Sequence, residues 1–270
     1  MPDETEDTSA PAALMAGKRG LVLGVANNHS IAWGIAETLS AHGATMAFTY
    51  QSDAIAKRVG PLAKQLGSDI VLPCDVSSAD DIETVIATLK DAWGELDFLV
   101  HAVAFSDRAE LNGRFLDTSR ANFAQTLEIS CYSFTALARA AAPLMREGGS
   151  MITLTYDGSQ RVMPNYNVMG VAKAALEAST YYLAADLGKQ GIRVNAISAG
   201  PMRTLSGAAV GNARFVYKWQ GENAPLRRNV SLEDVGGAAL YLLSDLGGGT
   251  TGEILHVDSG YNIIGMVATD

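Results

Sequence analysis

The chain predicts a single α/β domain in which a parallel sheet of seven strands is wound on both faces by helices. Short apolar, β-branched runs alternate with amphipathic segments from Gly20 to Val257. That alternation is what strand–helix–strand units of a parallel sheet leave in a sequence. The amphipathic segments open on cap-like residues: Ser30, Ser78 with Asp81 three on, and Ser231 with Asp234 three on. Each offers a side-chain oxygen to unpaired first-turn amides. The chemically distinctive residues follow the ends of the apolar runs, and ligands of such sheets sit there, beyond the carboxyl ends of the strands where the strand order reverses.

At 270 residues, 48% hydrophobic and 18% charged, the chain is long enough for one well-buried core and too apolar for disorder. Residues 1–15 are acidic and Pro-containing, without the apolar run of a signal peptide, and are expected to form a flexible tail before one domain over 16–270. No run approaches the ~18 to 20 apolar residues of a membrane span, and the two cysteines make no disulfide framework. A cytoplasmic protein without a structural metal is expected. The net charge of −9 leaves no basic stripe to neutralise phosphates, which argues against nucleic acid as a partner.

The strands are expected at Leu21–Val25, Thr45–Tyr50, Ile70–Cys74, Phe98–Ala102, Met151–Thr155, Val194–Ser198 and Ile254–Val257. The first runs into a turn that is not G-x-G-x-x-G. Gly24 and Ala26 are nevertheless small enough for a pyrophosphate to approach the backbone, and Ser30 and Ile31 open a helix whose amides and dipole attract anions. Without a ligand the same residues make only a tight turn. After the second strand stands Gln51, where dinucleotide folds often place an acid for ribose hydroxyls or a base for a 2′-phosphate. Gln51 can bond to ribose or adenine without meeting a phosphate charge. The third strand leads to Cys74, Asp75 and Val76. Cys74 has no cationic neighbour to lower its pKa and is expected as a small buried residue, and Asp75 is otherwise a helix cap. Small residues at 102 and 104 after the fourth strand let the backbone run alongside a cofactor.

The fifth strand ends at Tyr156, and after Pro164 a helix is expected from Asn165. Tyr166 and Lys173 are seven residues apart on it, on one face and roughly 10 Å apart along the axis. The lysine stem leans back toward the N-terminus, and a cation near a phenol favours the phenolate. After the sixth strand Pro201 fixes the exit of the chain, and Thr204 with the following amides can hold polar groups of a ligand. Residues 205–221 mix small, flexible and aromatic types, which suits a lid near 203–221 or a surface helix packed on its neighbour.

The order Tyr156, nine residues, Tyr166, six residues, Lys173, with P-N-Y-N-V-M-G-V-A-K inside it and G-V-A-x-x-x-S-I-A-x-G-I-A at the first turn, resembles the enoyl-acyl-carrier-protein reductases of bacterial fatty-acid synthesis. These are divergent short-chain dehydrogenases with a Rossmann-type fold. Ordinary relatives carry Tyr-x-x-x-Lys with a Ser thirteen residues before the Tyr, and here that position is Thr153. The resemblance spans residues 17–266. It implies reduction of the C2–C3 double bond of a trans-2-enoyl thioester on an acyl carrier protein, with NADH as cofactor and NADPH disfavoured by Gln51. Tyr166 would donate a hydrogen bond to the thioester oxygen, and Lys173 would hold the nicotinamide ribose. Tyr156 would add a second donor or shape the acyl pocket, and Ser106 would join the two tyrosines around the substrate.

The resemblance also implies that Gly24, Ala26, Ser30 and Ile31 hold the pyrophosphate, and that Asp75 and Val76 hold the adenine. Ala102, Val103 and Ala104 would run alongside the cofactor, Ala104 replacing a common Gly. Met202, Thr204, Leu205 and Ser206 would contact its nicotinamide side, and His101 would be structural. A homotetramer is implied, with the apolar stretches Phe123–Ala142 and Val168–Leu187 available for its interfaces. With 29 acidic against 20 basic residues, docking of an acidic carrier protein must rely on a local patch. Arg214 and Lys218, flanked by Arg203, Arg227 and Arg228, are the candidates. A carbonyl reductase of the wider family is the alternative, disfavoured by the missing Tyr-x-x-x-Lys. A non-catalytic NAD(H)-binding sensor or scaffold would not need both tyrosines.

Overall fold

The structure, a computed structural model, describes residues 13–205, 207 and 211–266. Seven strands form one parallel sheet in the order β3-β2-β1-β4-β5-β6-β7. They are β1 (Arg19–Leu23), β2 (Thr45–Tyr50), β3 (Val71–Pro73), β4 (Phe98–His101), β5 (Gly149–Thr155), β6 (Ile192–Ala199) and β7 (Ile254–Val257). The order reverses between β1 and β4, which is where a crevice opens at the carboxyl edge. The expected strands are all present. β1 begins and ends two residues earlier than its apolar run suggested, because Gly24 turns the chain away at φ +99°. β5 and β6 begin two residues earlier than expected, at Gly149 and Ile192, extending their parallel ladder to Gly149↔Ile192.

Strand side chains alternate between two cores, as the period of two requires. Leu21, Leu23, Leu99, Met151 and Val194 face one core, with α3 (Ala79–Trp93), α6 (Ser133–Ala141) and α7 (Asn167–Leu187) packed over it. Val22, Phe48, Phe98, Val100, Ile152 and Ile197 face the other, covered by α1 (Ile31–Ala41), α2 (Asp53–Gln65) and α9 (Leu232–Leu243). Further helical segments are α4 (Arg108–Leu111), α5 (Arg120–Leu127), a π-helical turn at Glu128–Tyr132 between α5 and α6, and α8 (Ala213–Asn223), besides short 3-10 turns. The apolar stretch over 123–142 is helical throughout, with that π-helical turn inside it. Met15, placed in the tail on composition, is fully buried and its amide donates to His42 O, so the packed chain reaches back at least that far. Residues 1–12 of the tail lie outside the described residues.

Two of the three expected caps form. Ser78 accepts from the Asp81 amide, and Ser231 makes a reciprocal capping box with Asp234. Ser30 precedes α1 but makes no cap hydrogen bond. Its hydroxyl serves the preceding loop instead.

Helices α1 and α9 approach closely because each presents glycine. A Cβ on Gly34 would stand 2.6 Å from Leu232 Cβ, and one on Gly236 would stand 2.1 Å from Thr38 Oγ1. Gly34→Ala gains about 1 kcal/mol of helix propensity but must push Leu232, backbone-anchored at its Cα, out of place, and overpacking costs about 1–3 kcal/mol. We expect a net loss of up to about 2 kcal/mol, read as a lower urea midpoint at unchanged slope. A midpoint at or above wild type would show that the two helices separate without cost.

Candidate active site

The turn after β1 is shaped by two residues. Gly24 takes a left-handed φ, and a Cβ there would lie 2.1 Å from the Ala102 carbonyl oxygen, so only glycine lets this turn run beside the end of β4. Ser30 Oγ then accepts from the Ala26 amide at 3.0 Å and the Asn27 amide at 3.2 Å. The serine expected to cap α1 folds the loop back on itself, in front of the first turn of the helix at Ile31. Gln51 follows β2 directly and is exposed. Asp75 is not a helix cap: its amide donates to Asp81 Oδ2, and its Oδ1 accepts from the amide and hydroxyl of Ser77. Burial, followed by Asp81 and Asp75, pushes the Cys74 thiol up to about 12, which makes it inert.

On the far side of the crevice, Ala102 and Val103 are half-buried and Ala104 is exposed. Ser106 is tied into a buried network: its hydroxyl donates to Asn122 Oδ1 and accepts from Thr126 Oγ1. Phe105 is held by Ser130, whose Oγ accepts from its amide and donates to its carbonyl. Asn122, Thr126 and Ser130 bear no motif in the sequence, and only packing brings them to this wall. His101 is structural. Its Nδ1 and Nε2 lie 2.9 and 2.8 Å from Thr153 Oγ1 and Ser133 Oγ. Ser133 donates to Ile129 O and Thr153 to His101 O, so either hydroxyl can accept the one N–H of the neutral ring. Burial first, then the Lys173 charge, hold the imidazole down to about 3. Thr153, thirteen residues before Tyr166, is thereby occupied inside the core.

The tyrosines and the lysine gather at the end of β5, but not as spacing alone suggested. Helix α7 begins at Asn167, and Tyr166 is its N-cap residue at φ −107°. Asn165 and Asn167 on either side take left-handed φ of 58° and 37°, a conformation asparagine tolerates better than most residues. Asn167 Nδ2 donates to the carbonyls of Glu110 and Leu111, pinning the start of the helix to α4. The Tyr166 and Tyr156 rings meet edge to face at 5.2 Å. Gly158 and Gly170 leave the space: a Cβ on Gly158 would stand 2.5 Å from Tyr166 Cδ1, and one on Gly170 would stand 2.6 Å from Gly158 O.

Lys173 is buried and its Nζ donates to Leu154 O at 2.7 Å. Burial brings its ammonium down to about 8, against the opposing influence of Cys131 and Glu177. The expected phenolate is not favoured. Burial, then Tyr156 and Glu177, raise Tyr166 well above the ordinary tyrosine range, and burial and Asp157 do the same for Tyr156. Both phenols are therefore protonated, as hydrogen-bond donors must be. The Tyr156 hydroxyl is buried and makes no hydrogen bond among the described residues.

After β6, Met202 is half-buried against the core. The Thr204 amide donates to Met202 O, and its hydroxyl accepts from the Gly207 amide. Leu205 is 49% exposed, and Ser206 lies outside the described residues. Helix α8 carries exposed Phe215 and Trp219, stacked at 5.9 Å, with Trp219 Nε1 donating to Tyr261 Oη. Together with Val162, Met163 and Pro164 they line a groove of about 190 Å³ beside the segment that carries Tyr166.

A family model described as enoyl-(acyl carrier protein) reductase matches residues 24–262. The chain is 64% identical over 253 residues to the NADH enoyl-[acyl-carrier-protein] reductase 2 of Rhizobium meliloti, covering 94% of each. Among solved structures it is similar to the enoyl-(acyl-carrier-protein) reductase of Anaplasma phagocytophilum in complex with NAD, with 57% identity, TM-score 0.93, and coverage of 96% of this chain and 98% of that one. The Bacillus cereus enoyl-acyl carrier protein reductase, solved with NADP+ and an indole naphthyridinone, is 50% identical with TM-score 0.92, covering 94% and 99%.

Ser30→Ala removes two hydrogen bonds that preform the loop after β1, worth about 1–2 kcal/mol together. A dinucleotide should bind roughly 5- to 30-fold more weakly, with the fold intact, as read by fluorescence titration. Unchanged affinity would mean that the loop keeps its shape without Ser30.

Proposed function

This chain belongs to the enoyl-(acyl carrier protein) reductase family, and on that premise we propose how its residues divide the work. The protein is an oxidoreductase that reduces the C2–C3 double bond of trans-2-enoyl-acyl-carrier-protein thioesters with NADH, the last step of the fatty-acid elongation cycle. The observation that carries the assignment of roles is the convergence of two neutral, half-buried tyrosines and a buried lysine at the end of β5, on the carboxyl edge of the sheet that also presents the Gly24 turn.

The residues present fit the dinucleotide. The left-handed Gly24 turn stands at the switch point between β1 and β4. The loop held by Ser30 and the first turn of α1 suit the pyrophosphate, with Gly24, Ala26, Ser30 and Ile31 around it. Gln51 suits ribose or adenine and offers no charge to a 2′-phosphate. Asp75 keeps Oδ2 for adenine beside the Val76 amide, whereas its own amide is already spent on Asp81. Ala102, Val103 and Ala104 line the opposite wall, and Met202, Thr204 and Leu205 approach the nicotinamide side. Thr204 must exchange its contacts with Met202 and Gly207 to take part. Lys173 holds the ribose hydroxyls. When bound, NADH supplies the hydride.

As the double bond is reduced at C3, negative charge develops on the thioester oxygen. Tyr166 donates a hydrogen bond there, and a donor aimed at developing charge lowers the barrier more than it tightens ground-state binding. Its raised pKa keeps the proton on the phenol throughout the neutral range. Tyr156, edge-on to it, fixes the ring and walls the acyl site. Ser106 contributes to that wall through its network rather than as a free donor. Helix α8 acts as a lid, its Phe215 and Trp219 offering apolar surface to an acyl chain.

Two further assignments concern assembly. Val171, Ala178, Tyr182 and Ala185 form one exposed stripe on α7, and Phe123 and Tyr132 are exposed on the neighbouring segments. Such an apolar face suits packing of copies into a homotetramer. Among the described residues no helix is long and apolar enough to cross a membrane, in keeping with a cytoplasmic site of action. The enzyme acts on carrier-protein substrates, and of the basic residues near the lid most are engaged. Arg203 lies over the Tyr217 ring at 4.7 Å, Arg227 donates to Glu222 O, and Arg228 pairs with Asp234. Lys218 is only loosely paired with Glu222 at 3.7 Å, and Arg214 is exposed. These two are the remaining docking cations.

Tyr166→Phe should lower kcat by ~10²-fold or more while NADH affinity stays near wild type, because the hydroxyl serves charge that exists only in the transition state. Wild-type turnover in steady-state kinetics would remove Tyr166 from this role. Arg214→Glu with Lys218→Glu should raise KM for an enoyl carrier protein about 5- to 10-fold at low salt, with the wild-type KM itself salt-dependent and crotonyl-coenzyme A turnover little changed. Equal losses on both substrates would assign the pair to lid movement, and no loss would place docking elsewhere.

A further inference from the structure

Glu177 is 6% exposed, one helical turn beyond Lys173 on α7, and the roles assigned above do not use it. A buried carboxylate is costly unless its oxygens are bonded. Here Oε1 accepts from Thr155 Oγ1 at 2.6 Å and from Ser159 Oγ at 2.5 Å, and Oε2 accepts a long bond of 3.5 Å from Gln160 Nε2. Thr155 ends β5, whereas Ser159 and Gln160 lie in the turn that follows. Glu177 therefore grips the chain on both sides of Tyr156–Gly158. Lys173 grips the same strand one residue earlier, at Leu154 O. Tyr156 stands between the two attachments, and Gly158, inside the gripped turn, packs directly on the Tyr166 ring. A shift of this turn moves both rings together.

We propose that Glu177 is a positioning residue for the reduction: its carboxylate sets where Tyr156 and Tyr166 stand, and its charge supports the protonated form of Lys173. This rests on the reductase assignment and on Tyr166 as the donor. The charged and titratable groups facing Lys173 are His101 from β4, Cys131 from the π-helical turn and Glu177 from α7 itself. His101 is neutral, so Glu177 is the one carboxylate among these. The carboxylate of Asp157, beside Tyr156, makes no hydrogen bond among the described residues and is paired with Arg161 at 3.7 Å.

Two variants separate position from charge. Glu177→Gln keeps an oxygen for Thr155 and Ser159 and removes the charge. Its kcat on crotonyl-coenzyme A near pH 7 should stay within about threefold of wild type, while the alkaline limb of its pH profile moves to lower pH, since Lys173 loses a nearby anion. Glu177→Ala releases the turn. Its kcat should fall about 10- to 100-fold, as loosened positioning does, with KM for NADH changed much less. In the free protein, amide hydrogen exchange over residues 156–161 should accelerate. Should Glu177→Ala fail to fold, Ser159→Ala removes one of the two short bonds, and a smaller kcat loss with faster exchange in the same segment is expected.

A wild-type protein inactive on crotonyl-coenzyme A and enoyl carrier protein would overturn the reductase assignment itself. With an active wild type, unchanged kcat and exchange in Glu177→Ala (or, if that variant does not fold, in Ser159→Ala) would overturn the positioning role. An unmoved pH profile in Glu177→Gln would overturn the support of Lys173.

Discussion

The contact between α7 and β5 is polar and buried at the same time, and the rest of the site depends on how that is managed. Lys173 and Glu177 are both turned inward, where unpaired charges would be expensive. They are accommodated because each finds backbone or hydroxyl partners at the end of β5 and in the turn beyond it. The cost of burial thus fixes the helix in register against the strand. A helix held only by Leu176 and Ala172 could slide, but one whose lysine must reach Leu154 O has a single position. The tyrosines inherit that precision, with Tyr166 at the first residue before the helix and Tyr156 at the first residue after the strand.

The opposite edge of the crevice is set by sterics rather than charge. Gly24 allows β1 to end within van der Waals reach of Ala102, and the strand order reverses between these two strands. The close pass leaves the loop to be shaped by Ser30. Across the sheet, the close approach of α1 and α9 through Gly34 and Gly236 holds the helix whose first turn faces that loop. Rigid cores on both faces thereby present a cofactor edge built largely of backbone and small side chains, and a chemical edge built of bulky, protonated ones.

Protonation follows from the same burial. His101 is forced neutral and both phenols are kept protonated, whereas Lys173 falls to about 8. A site of this kind has donors in abundance near neutral pH and no ready base, which suits stabilising an enolate oxygen and does not suit abstracting a proton. Helix α8, the proposed lid, differs in character. It buries only Gln220, and its two cations, Arg214 and Lys218, are exposed, so it can respond to what approaches without disturbing the core.

The parallel fold was legible in the sequence because it rests on periodicities that each segment carries by itself: apolar runs for seven strands, and serine–aspartate spacing for the caps at Ser78 and Ser231. The cluster of Tyr156, Tyr166 and Lys173 was legible because its members lie close along the chain, and its resemblance to known reductases added their chemistry. Tertiary structure decided what spacing could not. Ser30 looked like a cap and instead folds the loop, because two nearer amides compete for its oxygen. Lys173 and Tyr166 looked like a cation–phenol pair, but the ammonium found a carbonyl on β5 first. Glu177, Asn122 and Thr126 carried no signal beyond polarity. Their partners lie many residues away in sequence, and a hydrogen bond between distant segments exists only once the sheet has brought them within 3 Å.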